Sequence, residues 1–142
     1  MKKLWIRLAV PITLGVLSLG SAQTLQEVQQ AREEARKVYP NGFFDLAPWK
    51  AAVEKAEALV AKEPGNLAAL RLLAELYGET KFSIRAWNAW SDYRSKGGEW
   101  DSAARTAAAQ AARQLAFYAK QRNDPAEAER WAAQAAAVEA GQ

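Results

Sequence analysis

Hydrophobic residues recur at three- and four-residue intervals through most of the chain after residue 23. This spacing places apolar side chains on one face of an α-helix. Short turns containing Pro, Gly or Asn divide the pattern into six segments, at about residues 24–38, 47–63, 67–78, 82–95, 102–121 and 124–140. No stretch alternates β-branched and polar residues in the manner of a strand. The sequence therefore predicts an all-α protein.

Several of these segments carry the signals of a helix start. Thr24 and Glu27 have the spacing of a capping box, in which each side chain accepts a hydrogen bond from a free backbone N–H. Asn66 is a candidate N-cap for the third helix. Asp124 is one for the sixth, with Pro125 in the first helical position and Glu127 predicted to reach back.

The periodicity also predicts which side chains face inward. In the first helix these are Leu25, Val28, Ala31, Ala35 and Val38. The last forty residues are rich in Ala, which favours helix but buries little area. We therefore expect the large aromatic residues of that region to supply much of its apolar contact, namely Phe117, Tyr118 and Trp131.

The middle of the chain contains a repeat-like spacing of large and small residues. Its members are Leu70, Leu73, Ala74, Tyr77, Ala86, Trp90 and Tyr93. This stretch resembles a tetratricopeptide repeat, with Ala74 in place of the family's Gly and Tyr93 where a small Ala is usual. A second copy extends from Leu115 to Ala135, and a partial one from Trp49 to Pro64. The 42 residues from Leu73 to Leu115 exceed the 34-residue period, so the second copy requires longer helices around the Gly97-Gly98 turn.

The resemblance covers about residues 49–140 and implies stacked antiparallel helix hairpins, an α-solenoid of about two and a half repeats. In this family the first helices of successive pairs line a groove that binds peptides. By position, the groove residues here are Arg71, Glu75, Gln110, Arg113, Phe117 and Lys120. Helical hairpins of unrelated origin, with an ordinary solvated face at these positions, are the alternative.

The first 22 residues have the three parts of a secretory signal peptide. Lys2, Lys3 and Arg7 give a positive start, residues 8–19 are mostly apolar, and Gly20-Ser21-Ala22 supplies small residues before a cleavage site at Ala22–Gln23. An uncleaved anchor is the alternative, but residues 8–22 fall short of the roughly 20 residues that span a bilayer. We expect a mature domain of residues 23–142, periplasmic or secreted, that touches the membrane only through the signal segment before cleavage.

The composition excludes several common kinds of catalytic and metal site. The chain has no Cys and no His, which excludes disulfides, thiolate metal sites and imidazole bases. Without the signal peptide, 16 basic residues balance 16 acidic ones, so the basic excess that nucleic-acid binding uses is missing. The acid pairs Glu75/Glu79 and Glu99/Asp101 lie among Lys and Arg and indicate solvated faces rather than a glycosidase centre. We expect neither a cofactor nor a metal.

Trp87 lies off the packing face of its helix, whereas Trp90 lies on it. Trp87 either covers a neighbouring helix or serves as an exposed anchor for a partner. Together with Trp100 it could form an aromatic patch that stacks on a sugar. The main expectation is thus an exported, non-catalytic scaffold that binds a protein or peptide in the cell envelope. A carbohydrate or cell-wall binding module and a structural subunit, including a homo-oligomer built through an exposed hairpin face, are the alternatives.

Overall fold

A computed structural model describes residues 24–142, and the predicted signal peptide lies outside the described residues. This part of the chain consists of six α-helices and contains no strand, which confirms the all-α prediction. The helices are α1 (Leu25–Val38), α2 (Ala47–Lys62), α3 (Leu67–Glu79), α4 (Ser83–Ser95), α5 (Ser102–Gln121) and α6 (Pro125–Glu139). Each predicted helix boundary falls within about two residues of the observed one.

Local capping explains why the helices begin where they do. The backbone N–H of Glu27 donates to Thr24 Oγ1 at 3.1 Å, and that of Ala69 donates to Asn66 Oδ1 at 3.0 Å. Asp124 caps α6 in the same way, through the N–H of Glu127 at 3.1 Å. The Glu127 side chain does not reach back as predicted, because it accepts hydrogen bonds from Arg122 and from the Trp131 indole.

The six helices form three consecutive hairpins, α1–α2, α3–α4 and α5–α6. Each helix contacts the next one along the chain, and the first helices of the hairpins also contact one another, α1 with α3 and α3 with α5. Ion pairs join Arg32 to Glu75 and Arg36 to Glu79. Both partners advance by four residues, so α1 and α3 run parallel where they meet. α5 is seven residues longer than α3.

One apolar core runs through the described residues. Its largest fully buried side chains include Trp49, Leu59, Leu76 and Trp90. In α1, Val28 and Ala35 are buried as predicted, but Val38 is 59 % exposed. The inward assignment of Val38 was therefore wrong, because helical periodicity does not say how far a neighbouring helix extends along a face.

Candidate functional site

A cleft of about 390 Å³ lies between the three first helices. Arg32 and Arg36 of α1 form one wall, and Gln110 and Gln114 of α5 form the opposite one. The floor is lined by small or apolar groups from α3, α4 and α5: Ala74, Gly78, Trp90, Ala107 and Ala111. Lys81, from the turn between α3 and α4, and Ser83, the first residue of α4, also line it. An apolar floor between polar walls suits a bound chain segment or small molecule.

Charged side chains link the three first helices through a series of ion pairs. Arg36 pairs with Glu33 and Glu79, and Arg32 pairs with both Glu79 and Glu75. From Glu75 the series continues through Arg71 to Asp101, at the N-terminus of α5, where it ends. Arg71 Nη1 donates to Asp101 Oδ2 at 3.0 Å, and Arg71 Nη2 donates to Asp101 Oδ1 at 3.2 Å. A bidentate pair of this kind fixes geometry as well as charge.

Arg71 is further held by two aromatic residues of α4. Its guanidinium carbon lies 5.7 Å from the ring centres of both Trp90 and Tyr93, and Nη1 donates to the Tyr93 hydroxyl at 3.2 Å. The hydrogen bond to Asp101 raises the pKa of Arg71 above its ordinary value. The same contact, with the backbone N–H of Ala104, lowers the pKa of Asp101. Arg71 therefore joins helices within the fold.

The structure brings only some of the predicted groove residues into the cleft. Glu75 and Gln110 line it, and Gln110 faces it from an exposed position. Arg113 and Phe117 line a more open surface along α5, together with Thr106, Gln110 and Gln114. Arg113 forms an ion pair with Glu139 of α6, and Phe117 is 52 % exposed. Lys120 is exposed and lines neither surface.

Trp87 is partly buried against α6. Its ring lies 5.5 Å from that of Trp131, with the planes nearly perpendicular. Trp100 is also partly buried and lies under the Arg94 guanidinium, whose central carbon is 4.9 Å from the ring centre. Each indole thus packs against a different residue. These contacts do not pair Trp87 with Trp100, as the aromatic patch for a sugar would require.

Sequence reasoning missed the wall of the cleft that belongs to α1. The resemblance to a tetratricopeptide repeat begins at about residue 49, so it does not point to Arg32 and Arg36. A signal was nevertheless present. Two Arg residues four apart on one helix match two Glu residues four apart on another, Glu75 and Glu79, and this complementary spacing favours neighbouring parallel helices.

The described residues show no arrangement typical of a metal site or a membrane span. Within residues 24–142, no group of three or more acidic side chains lies together as metal ligands would. In the same range, no helix combines the length and apolar character needed to cross a bilayer. No family model, curated protein or solved structure matches the chain.

Proposed function

We propose that the chain is an exported, non-catalytic scaffold of tetratricopeptide-like hairpins that binds a protein or peptide segment in the cell envelope. The binding site is the cleft between α1, α3 and α5. The observation that carries this proposal is the cleft itself, which follows the first helices, as the groove of the resembled family does. Its volume and mixed lining suit a few residues of an extended chain.

The contacts within the first helices support a preformed site. Arg32 and Arg36 pair with Glu79 and so join α1 to α3. Arg71 pairs with Asp101 and so joins α3 to the start of α5. The helices that form the cleft are thus held in place before a partner arrives. A preorganised site spends less of its binding free energy on ordering its own side chains. The acids of this network are paired with Arg, and the pKa of Asp101 is lowered, whereas a general acid needs a raised one. Both features favour binding over catalysis.

The test compares capture of partners by the full chain and by two matched variants. Gln110→Trp fills the cleft from an exposed position on α5, and Gln134→Trp makes the same change at an exposed position on α6 outside the cleft. After chemical crosslinking in native envelope extract, we expect a defined partner with the native chain and with Gln134→Trp, and loss of that partner with Gln110→Trp. Capture that is equal in all three, with circular dichroism unchanged, would refute the cleft as the site.

A further inference from the structure

Four of the helices within residues 24–142 end in the same kind of turn. In each, a backbone N–H just past the helix donates to the carbonyl five residues earlier, at 2.9 Å, and the residue before it has a positive φ. This hydrogen bond and backbone shape define the Schellman motif. The positive-φ residues are Lys81 (φ 66°), Gly97 (φ 92°), Asn123 (φ 61°) and Gly141 (φ 87°).

Lys81 is the unusual member of this set. Gly adopts a positive φ without steric penalty and Asn tolerates it, whereas a long side chain such as Lys is disfavoured there. The three other residues lie away from the cleft, but Lys81 lines it. Within the described part of the chain, no carboxylate lies at ion-pair distance from the Lys81 ammonium. Lys81 thus stabilises the fold neither through its backbone conformation nor through an ion pair.

Gly78 is unusual for the opposite reason. It lies inside α3 and lines the same cleft. A Cβ added there would meet no atom within 4 Å, so packing within the chain does not require Gly. Ala is the better helix former at such a position. What Gly78 does provide is an uncovered stretch of helix backbone at the floor of the cleft, which permits close approach of a bound chain.

The charges around the cleft indicate what kind of chain this is. Its two Arg residues, Arg32 and Arg36, already have Glu partners in the ion-pair series. Lys81 is the lining cation for which the described residues supply no partner. An incoming carboxylate would therefore find a cation that is free to pair, whereas an incoming ammonium would find carboxylates that are already neutralised.

We propose that the cleft selects an extended peptide segment with an acidic side chain. The segment's backbone passes over Gly78, its carboxylate pairs with the Lys81 ammonium, and a small apolar side chain lies against Ala107 and Ala111. This inference rests on the proposed function and adds the chemistry of the partner. It also explains why Lys and Gly occupy these two positions, since each contributes to ligand contact at the expense of folding stability.

The specificity test uses three pools of fluorescent eight-residue peptides, N-acetylated and C-amidated, on a common Ala/Leu background. The pools carry two Glu, two Gln or two Lys residues, and binding to the full chain is measured by fluorescence polarisation. We expect the Glu pool to bind most tightly. Lys81→Gln, which removes the charge and keeps a polar side chain, should weaken the Glu pool about tenfold and leave the Gln pool unchanged.

The second test measures both thermal stability and peptide binding of the same variants. Lys81→Gly and Gly78→Ala should each raise Tm by about 2–4 °C and yet weaken binding of the Glu pool. Matched controls lie away from the cleft. Asn123→Gly changes an equivalent turn, and Gly65→Ala changes another position where an added Cβ meets nothing. Neither control should alter binding, which separates loss of ligand contact from a general effect of stabilisation.

The outcomes separate this inference from the proposed function. If the three pools bind equally, or if Lys81→Gln has no effect on the Glu pool, the acidic specificity is refuted while the cleft can still be the binding site. If no pool binds, the inference is likewise refuted. The proposed function falls with it only when Gln110→Trp also leaves partner capture unchanged.

Discussion

The middle hairpin and the last hairpin fill the space between their helices with opposite kinds of side chain. In α3 and α4 the buried residues include four Leu, together with Tyr77, Trp90 and Tyr93. In α5 and α6 the buried residues are Ala throughout, apart from Val138. α5 and α6 nevertheless make the most extensive helix–helix contact in the described chain. Small side chains let two backbones approach closely, so contact along the whole length compensates for the small area of each residue.

This comparison corrects an expectation about the last hairpin. Phe117, Tyr118 and Trp131 were predicted to supply much of its apolar contact, but Phe117 is largely exposed and the other two are only partly buried. Side-chain area alone underestimates the apolar contact that Ala residues make when two helices pack closely. Opposite substitutions should consequently destabilise the two hairpins. The middle one should lose most stability when a large buried side chain is shortened, and the last one when a small buried side chain is enlarged.

The largest effect is expected in the middle hairpin. Trp90 is 1 % exposed, and Trp90→Ala should lower the free energy of unfolding by about 3–5 kcal/mol because it leaves a cavity in the core. Trp131→Ala in the last hairpin should cost clearly less, since that ring is only partly buried. Urea unfolding followed by circular dichroism measures both. Equal losses would contradict the contrast between the two hairpins.

An intermediate effect is expected from enlarging a residue in the last hairpin. Ala112 is fully buried, so Ala112→Leu should lower the free energy of unfolding by about 1–3 kcal/mol by forcing α5 and α6 apart. Ala133→Leu, at an exposed position of α6, is the control and should change stability little. Thermal unfolding of the two variants side by side gives the answer. A stabilised Ala112→Leu would show that the Ala interface is loosely packed.

A smaller effect is expected where the two hairpins are joined by Arg71 and Asp101. Asn can keep the N-cap of α5 but not the charge, so Asp101→Asn should lower Tm modestly at pH 7. Because the pKa of Asp101 is lowered by folding, its stabilisation is present above the ordinary Asp pKa of about 3.9 and is lost as pH falls through the lower, folded-state value.

The native chain and Asp101→Asn should therefore converge in Tm as pH is lowered from 7 to 3. Thermal unfolding at half-unit pH steps measures this difference. Two parallel curves across that range would show that the Arg71–Asp101 pair contributes no stability through its charge.

The features that the sequence predicted well are those set by neighbours along the chain. The caps at Thr24, Asn66 and Asp124 each depend on a residue three positions away, and the helix boundaries follow from them and from the Pro and Gly turns. The exposed end of α1 at Val38 was missed, since coverage of a face depends on where another helix ends.

The candidate site was predicted only in part for the same physical reason. Glu75 and Gln110, two of the predicted groove residues, line the cleft because the first helices carry them. Arg71 was expected to meet a partner, yet it bonds to Asp101, thirty residues away, a pairing that no local pattern contains. The strain at Lys81 was likewise invisible, since a backbone angle has no signature in composition or periodicity.

The most direct measurement of the central claim, that the cleft is where a partner binds, is site-specific photocrosslinking in the native envelope. A photoreactive residue is placed at Gln114, which lines the cleft, and in a second variant at Gln134, on α6 outside it. The account predicts one defined adduct from position 114 and none of that mass from position 134. An adduct formed equally from both positions, or from position 134 alone, would contradict it.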